Sequence, residues 1–235
     1  MGNCLSEMRK VVTGAIADFG KVSDPKALLC FVLNGIGNEY MKWFGHSDFI
    51  WNFMYKACDY EKKMNDDSQQ ARYFKIRDVI QELAPSKCAV LDVGCGTANS
   101  LKVWREANVG SFEGIDIADA AIKEARVTHP GDAQLTTRFT TTSMQNYDSE
   151  GRSFDIIVFN ESLYYIPNVS EAVGMVKKAW SLLKPKGSLI ISMSETHHAE
   201  KIWEAIAPLL PAGSKSQAKA VQGNTWQVGS FTKPA

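Results

Sequence analysis

From about residue 87 onward, short apolar runs alternate with amphipathic stretches of helical periodicity. This alternation constrains the fold more than any other feature, because a strand–helix–strand unit joins parallel strands and a parallel sheet must be covered on both faces. The runs FDIIVFN and GSLIISMS have continuous apolar centres, as strands buried on both faces require. The sequence therefore predicts an α/β fold built on a mostly parallel sheet.

Residue patterns place six strands and four helices in this part of the chain. Strands are predicted in CAVLDVG, FEGIDI, QLTTRFTT, FDIIVFN, GSLIISMS and TWQVGSF. Helices are predicted in NSLKVWREAN, ADAAIKEARVTH, SEAVGMVKKAWSLL and HHAEKIWEAIAPLL. Ligands of such sheets bind beyond the carboxyl ends of the strands, so the residues that follow each strand are the candidates for a functional site.

The part of the chain before residue 86 has mostly helical patterns, with the clearest apolar periodicity in ARYFKIRDVIQEL. We therefore predict an N-terminal helical lid or substrate cap at residues 1–85 and a core domain at residues 86–235. Residues 31–60 hold nine of the 24 aromatic residues. An aromatic lid would exclude water and surround an apolar or cationic ligand, although the same rings also suit the hydrophobic core of the lid itself.

The composition favours a small-molecule partner. The 26 basic residues balance the 26 acidic residues, so no basic field indicates a nucleic-acid surface. The five cysteines are scattered, which predicts neither a zinc site nor a disulfide framework and favours a reducing, cytoplasmic setting. No signal peptide is visible, and the longest apolar run is too short to span a bilayer.

The first six residues, MGNCLS, match the pattern for N-myristoylation at Gly2, and Cys4 then suits palmitoylation. Because one myristoyl chain binds a membrane only weakly, the second lipid would matter for anchoring. The pattern predicts a weak membrane association. An accidental match in a short segment is the alternative.

The stretch VLDVGCGTANS carries a glycine turn between a predicted strand and a predicted helix. Glycines there allow a tight turn and a close approach of a ligand to the backbone. The dinucleotide fingerprint G-x-G-x-x-G/A fails because its last position falls on Asn99. The spacing G-x-G-x-G matches Gly94, Gly96 and Ala98, with alanine as the third residue.

Two carboxylates flank this turn. Asp92 precedes it in the strand, where it would repel a pyrophosphate but suits a ligand with an ammonium group. Asp116 ends the second strand, where it can accept hydrogen bonds from both hydroxyls of a ribose. As alternatives, Asp116 caps the following helix, Asp92 has a local cap or ion pair, and the glycines serve a structural turn.

The motifs VLDVGCGTA, GIDIA, FDIIVFNESLYYIP and LLKPKGSLIIS together resemble the class I S-adenosylmethionine-dependent methyltransferases, over roughly residues 70 to 195. The ESLYYIP segment is most similar to small-molecule methyltransferases, including nodulation-type N-methyltransferases. The resemblance implies a Rossmann-like, mostly parallel seven-stranded sheet with helices on both faces and an N-terminal helical lid. It also implies S-adenosylmethionine as cofactor, S-adenosylhomocysteine as product and no metal.

The resemblance further implies roles for individual residues. The two glycines make room for the methionyl and ribose parts of the cofactor, and Asp92 contacts the amino group directly or through water. Asp116 holds the ribose, Ile117 lies against the adenine, and a serine replaces the family's acidic adenine ligand. A tyrosine of MYKACDYEKK, Tyr60 or Tyr55, touches the cofactor. The predicted cofactor-binding residues are Tyr60, Asp92, Gly94, Gly96, Asp116, Ile117, Ser143, Met144 and Asn160.

Catalytic candidates follow the fourth and fifth strands. Tyr164 or Tyr165 faces the acceptor while the other packs, and Glu161 is either a surface residue or supports a neighbouring side chain. His197 and His198 are candidate bases, because the pKa of histidine lies near neutrality; a solvated helix start is the alternative.

The predicted activity is in-line transfer of a methyl group from S-adenosylmethionine to a nitrogen or oxygen nucleophile of a small molecule. Two other functions remain open at this point. One is a non-methyl reaction in the same pocket, such as an assisted cyclisation, and the other is a non-catalytic binding module.

Overall fold

The computed structural model describes residues 30, 47–58, 60, 64, 66–84, 86–220 and 223–235. The predicted lipidation of Gly2 and Cys4 and the aromatic residues between positions 31 and 46 lie outside the described residues. Everything below refers to the described part of the chain.

A seven-stranded sheet forms the centre of the molecule, in the order β3-β2-β1-β4-β5-β7-β6. The first five strands pair in parallel, whereas β7 pairs antiparallel with both β5 and β6. This arrangement confirms the predicted mostly parallel Rossmann-like sheet. The strands are β1 Cys88–Val93, β2 Val109–Asp116, β3 Thr136–Thr141, β4 Phe154–Asn160, β5 Leu183–Ser194, β6 Ser214–Lys219 and β7 Thr225–Thr232.

Helices cover both faces of this sheet. The described helices are α1 Asp48–Ala57, α2 Asp67–Leu83, α3 Leu101–Trp104, α4 Asp119–Thr128, α5 Val169–Leu182 and α6 His197–Ile206. Both faces of the sheet bury apolar side chains under these helices, because successive residues of a strand point to opposite sides. Leu91 belongs to the cluster under α5 and α6, and Val90 belongs to the cluster under α2, α3 and α4. Among them, none combines the length and apolar composition that crossing a bilayer requires.

Two elements of the structure differ from the prediction. The helix predicted in NSLKVWREAN is reduced to the single turn of α3, because the chain bends away after Trp104 and Asn108 takes a left-handed φ of 60°. The strand β6 was not predicted, because SKSQAK has no apolar alternation and only Ala218 of this strand is buried.

The helix α1 lies beside the start of α4, where a small separate core joins the two. This core contains Trp51, Met54 and Tyr60 from the first helical region and Ala118 and Ala121 from the second. Its position matters for the site, since α4 follows β2 and therefore begins at the carboxyl edge of the sheet.

A disulfide joins Cys30 to Cys58, with 5.1 Å between the two Cα atoms. The cysteine spacing predicted no disulfide framework, and it did not reveal this single pair, whose members lie 28 residues apart in sequence. Cys88 and Cys95 are free and buried.

Candidate active site

A cavity of about 390 Å³ opens at the carboxyl ends of β1, β2 and β4, with α1 and α2 forming further walls. This is where the strand order reverses, and where open α/β sheets bind ligands. The volume lies in the range of small-molecule sites. Of the predicted cofactor-binding residues, all except Asp92 line this cavity.

The glycine turn forms one wall of the cavity. Gly94 and Gly96 have φ values of 77° and 56°, in the left-handed region that favours glycine. A β-carbon on Gly96 would lie 2.5 Å from the hydroxyl oxygen of Tyr55, and one on Gly94 would collide with the side chain of Ser162. The close approach of other parts of the chain therefore requires both glycines.

Asp116 connects the glycine turn to the chain that enters α4. One carboxylate oxygen accepts a hydrogen bond from the backbone N–H of Gly96 at 2.9 Å, and the other accepts from Ala118 at 2.8 Å. Ala118, and not Asp116, is the N-cap of α4, so the alternative reading of Asp116 as a helix cap does not hold. Burial raises the pKa of the Asp116 carboxyl, while its backbone hydrogen bonds act in the opposite direction.

Asp92 lies behind the cavity wall and does not line it. Its Oδ2 accepts a hydrogen bond from the Ser100 hydroxyl at 3.1 Å, and Ser100 does line the cavity. Its Oδ1 is buried and has no hydrogen-bond partner among the described residues. Burial raises the pKa of Asp92 to about 7, because the charged form loses its hydration there.

Arg72 is a cavity residue that the sequence analysis missed. It projects from α2 and is only 4% exposed. Its Nε donates to Oδ1 of Asn160 at 3.1 Å, Nη2 donates to the Tyr73 hydroxyl at 3.1 Å, and Nη1 donates to Oε1 of Gln69. The signal was present in the sequence, because Arg72 precedes the buried Ile76 by four residues and so shares its helix face.

The guanidinium of Arg72 lacks a direct counter-charge. All three hydrogen-bond acceptors just named are neutral, and no carboxylate of the described residues lies within ion-pair distance of it. The ring of Tyr73 lies 4.7 Å from the guanidinium carbon, and that of Trp226 lies 5.6 Å away. A buried cation in this position is costly unless an anion joins it.

The residues after β4 form a chain of hydrogen bonds along the cavity wall. The hydroxyl of Tyr164 lies 3.2 Å from that of Tyr165 and 3.1 Å from Oε2 of Glu161. Glu161 also accepts hydrogen bonds from the hydroxyls of Ser192 and Ser194. Tyr165 is partly exposed, whereas Tyr164 and Glu161 are buried.

Glu161 is therefore a buried carboxylate that supports Tyr164, and it is not a surface residue. It adopts a left-handed φ of 60°, which is uncommon for a residue with a side chain. Burial raises its pKa, while Arg72 and the three hydroxyl donors lower it. Non-glycine residues held in this conformation are often found at functional sites.

Aromatic rings from α1 and from the segment after β4 meet at one end of the cavity. Trp51 contacts Tyr60 and Tyr165 edge to face, with ring centroids 5.5 Å and 5.1 Å apart. Tyr55 contacts Tyr60 in the same manner at 5.3 Å. We refer to Trp51, Tyr55, Tyr60 and Tyr165 as the aromatic wall.

The two histidines do not reach the cavity. His197 is exposed at the first residue of α6, and its Nδ1 lies 3.4 Å from a carboxylate oxygen of Glu200. His198 is buried, and its Nε2 donates to the carbonyl oxygen of Ile166 at 2.8 Å. Both follow β5 as the sequence analysis assumed, but the first turn of α6 directs one ring to solvent and the other into the protein. Neither ring lines the cavity in which a base would act.

A strand order of this kind, with a glycine turn after β1 and an acidic residue at the end of β2, is typical of Rossmann-like α/β proteins. The family described as Methyltransferase domain matches residues 68–228, and the chain belongs to this family. The cofactor of this family is S-adenosylmethionine. Among the described residues, no group of three or more His, Cys, Asp or Glu is placed to hold a metal ion.

The curated relatives that match this chain are methyltransferases. The ubiquinone biosynthesis O-methyltransferase of Xanthomonas axonopodis pv. citri is 31% identical over 147 residues, which cover 60% of this chain and 59% of that protein. The chain spans less than two thirds of the length of the curated relatives it matches.

Two solved structures share the fold. The N-methyltransferase NodS from Bradyrhizobium japonicum, in complex with S-adenosylhomocysteine, superposes with a TM-score of 0.65 at 16% identity, over 80% of this chain and 99% of that chain. The 1,6-didemethyltoxoflavin-N1-methyltransferase of Burkholderia thailandensis superposes with a TM-score of 0.64 at 18% identity, over 84% of this chain and 90% of that chain.

Proposed function

We propose that the protein transfers a methyl group from S-adenosylmethionine to a nitrogen or oxygen atom of a small-molecule acceptor. The observation that carries this proposal is the pairing, in one cavity, of Asp116 at the end of β2 with the buried Arg72 on α2. The first suits a ribose and the second suits a carboxylate, and the cofactor contains both groups.

The residues of the cavity fit the cofactor. Each oxygen of Asp116 accepts one backbone hydrogen bond and has further lone pairs for the ribose hydroxyls. Arg72, held in place by Asn160, would pair with the methionyl carboxylate. The unpartnered Oδ1 of Asp92 would receive a hydrogen bond from the amino group, directly or through water. Ser100, which lines the cavity and donates to Oδ2 of Asp92, would lie between Asp92 and the amino group.

The remaining predicted contacts stay part of this proposal. Ile117, Ser143 and Met144 line the cavity and would surround the adenine. The hydroxyl of Ser143 accepts a backbone hydrogen bond from Asn146 at 3.3 Å, so it offers the adenine amino group an uncharged partner. Tyr60 would contact the cofactor from the side of the aromatic wall.

The cofactor supplies an electrophilic methyl group on a sulfonium. The protein would align the acceptor with that group, which contributes on the order of 7–11 kcal/mol to such reactions. The aromatic wall and α1 would keep water away from the reacting atoms. Tyr164 and Tyr165 would face or support the acceptor, and no histidine is required.

We also propose that residues 1–85 act as a lid or substrate cap over a core at residues 86–235. Helix α2 belongs to the first unit in this division, yet it packs against β5, β6 and β7 and supplies Arg72. The proposed cap would therefore contribute to cofactor binding as well as to acceptor binding.

Calorimetric titration with S-adenosylmethionine and with S-adenosylhomocysteine is the first test. We expect micromolar binding of both, and release of S-adenosylhomocysteine when a suitable acceptor is added. Failure of both ligands to bind the folded protein would refute the proposal. Binding without turnover over a broad set of amines, phenols and alcohols would instead favour a binding module.

A further inference from the structure

One negative charge of the cavity has no partner in the cofactor once the proposed cofactor contacts are assigned. Arg72 and Asp116 are then both engaged by the cofactor. Of the charged residues among the described lining residues, Glu161 is the one left without such a role. Its carboxylate lies beyond the hydroxyls of Tyr164 and Tyr165, at the end of the cavity that holds the aromatic wall.

The aromatic wall and this carboxylate favour the same kind of ligand. The faces of tyrosine and tryptophan rings attract cations, and a buried negative charge attracts them as well. An anionic acceptor, such as a carboxylate or a phenolate, would meet Glu161 with the described cation of the cavity, Arg72, already engaged. A neutral acceptor would gain no electrostatic attraction from the negative charge of Glu161.

Resting on the proposed function, we infer that the acceptor is an amine that enters as an ammonium ion at the aromatic wall and passes its proton through Tyr165 and Tyr164 to Glu161. All three residues line the cavity, and the order of burial agrees with this direction, since Tyr165 is partly exposed and the other two residues are buried. In this path Glu161 receives the proton from Tyr164 and not from the acceptor itself.

The proton transfer balances without any further reactant. One N–H bond of the ammonium breaks, and its proton moves to the oxygen of Tyr165. The hydroxyl proton of Tyr165 moves to Tyr164, and that of Tyr164 moves to Oε2 of Glu161, which becomes a carboxylic acid. The freed electron pair on nitrogen then forms the bond to the methyl carbon, while the bond from that carbon to sulfur breaks and leaves its electron pair on sulfur. Glu161 returns its proton to solvent as product leaves.

The groups that face Glu161 are compatible with this role. Arg72 approaches from α2, Ser192 and Ser194 from β5, and Tyr164 from the turn after β4. Burial raises the pKa of the Glu161 carboxyl, which improves it as a proton acceptor, and the positive charge of Arg72 keeps the ionised form accessible.

The test compares three ligands of similar shape and different charge. Full-length protein saturated with S-adenosylhomocysteine is titrated at pH 7 with benzylamine, benzyl alcohol and benzoate. We expect benzylamine, as its ammonium ion, to bind about tenfold or more tightly than benzyl alcohol, with benzoate weakest. Equal affinities, or no detectable binding of any of the three, would overturn the inference.

Matched variants then isolate the carboxylate. Glu161→Gln should abolish the preference for benzylamine while leaving benzyl alcohol and S-adenosylhomocysteine affinities unchanged. The same replacement at the exposed Glu195, Glu195→Gln, should keep the preference. In wild type the preference should fall as the pH drops through the raised pKa of Glu161, and Glu161→Gln should remove that pH dependence. A preference that survives in Glu161→Gln would exclude the carboxylate as its source.

Turnover tests the proton path. With S-adenosylmethionine and benzylamine, Tyr164→Phe should lower the rate of S-adenosylhomocysteine release about 100-fold without weakening benzylamine binding, because the ring stays and the path is cut. An unchanged rate would overturn the path, and methylation of benzyl alcohol or benzoate in place of benzylamine would overturn the acceptor class. Failure of S-adenosylhomocysteine to bind at all would instead refute the proposed function.

Discussion

Replacing Arg72 with methionine gives the sharpest test of how the cavity would hold its cofactor. Methionine keeps a long flexible side chain on α2 and removes the guanidinium. The guanidinium is buried, and its hydrogen-bond acceptors are all neutral: oxygens of Asn160, Tyr73 and Gln69 and the sulfur of Met64. In the proposed complex its charge would be matched by the methionyl carboxylate.

The expected loss follows from the strength of a hydrogen bond between charged groups. Such a bond contributes about 1.5–3 kcal/mol, so Arg72→Met should weaken S-adenosylmethionine binding by about 10- to 150-fold. The free energy of unfolding of the ligand-free protein should fall by about 1–3 kcal/mol, because Asn160 and Gln69 lose a hydrogen-bond donor and the positive charge that lowers the pKa of Glu161 is lost. Thermal unfolding of the variant would check that point.

Calorimetry with two ligands separates the carboxylate from every other contact. Decarboxylated S-adenosylmethionine lacks the group proposed to meet Arg72. Wild type should bind it more weakly than S-adenosylmethionine, and Arg72→Met should bind both ligands with the same affinity. If Arg72→Met weakens the two ligands equally, the side chain shapes the cavity in some other way and the carboxylate assignment fails.

Three further changes test other parts of the cavity. Asp116→Ala should weaken S-adenosylhomocysteine binding at least tenfold, about 1.4 kcal/mol, and unchanged affinity in calorimetry would defeat the ribose assignment. Because burial raises the pKa of Asp92 to about 7 in the folded protein, the wild type should lose stability as the pH rises from about 4 to about 7. In that interval the unfolded chain releases this proton and the folded chain retains it. Asp92→Asn should remove this loss, on the order of 4 kcal/mol, in denaturant unfolding of the ligand-free protein at several pH values; parallel pH profiles of the two proteins would contradict it. Gly96→Ala should destabilise the fold by about 1–2 kcal/mol from its left-handed conformation alone, and more because the new methyl group would meet the Tyr55 hydroxyl. The added variant Tyr55→Phe should recover part of the lost melting temperature, and no recovery would show that the hydroxyl is not the obstacle.

Much of the sheet followed from local patterns. The strand predicted in FDIIVFN has the same bounds in the structure, Phe154–Asn160, because an uninterrupted apolar run in a strand buried on both faces is bounded by its polar neighbours. The glycine turn and Asp116 were also found, because their chemistry depends on residues that are close in sequence. Of the residues after β4, sequence placed Tyr164 and Tyr165 near the site and left the role of Glu161 open.

What sequence did not reveal depends on the direction of side chains in three dimensions. Arg72 was missed because its helix was read for apolar periodicity and not for a charged residue on the apolar face. The histidines after β5 were placed at the correct edge of the sheet, but the first turn of α6 decides where each ring points. The partnership of Glu161 with Ser192 and Ser194 joins the segment after β4 to residues of β5 that lie 31 and 33 positions further along the chain.

The polar strand β6 has a further consequence, because it forms the outer edge of the sheet. An exposed edge presents unpaired backbone groups that can recruit a strand of another chain and begin aggregation. In Ser214–Lys219, the side chains of Lys215, Gln217 and Lys219 are exposed, and Lys215 places its ammonium 4.8 Å from the centre of the Trp203 ring. A strand that docked here would have to desolvate these lysines. The polar composition of β6, which is why its sequence pattern did not predict a strand, thus protects the sheet from uncontrolled association.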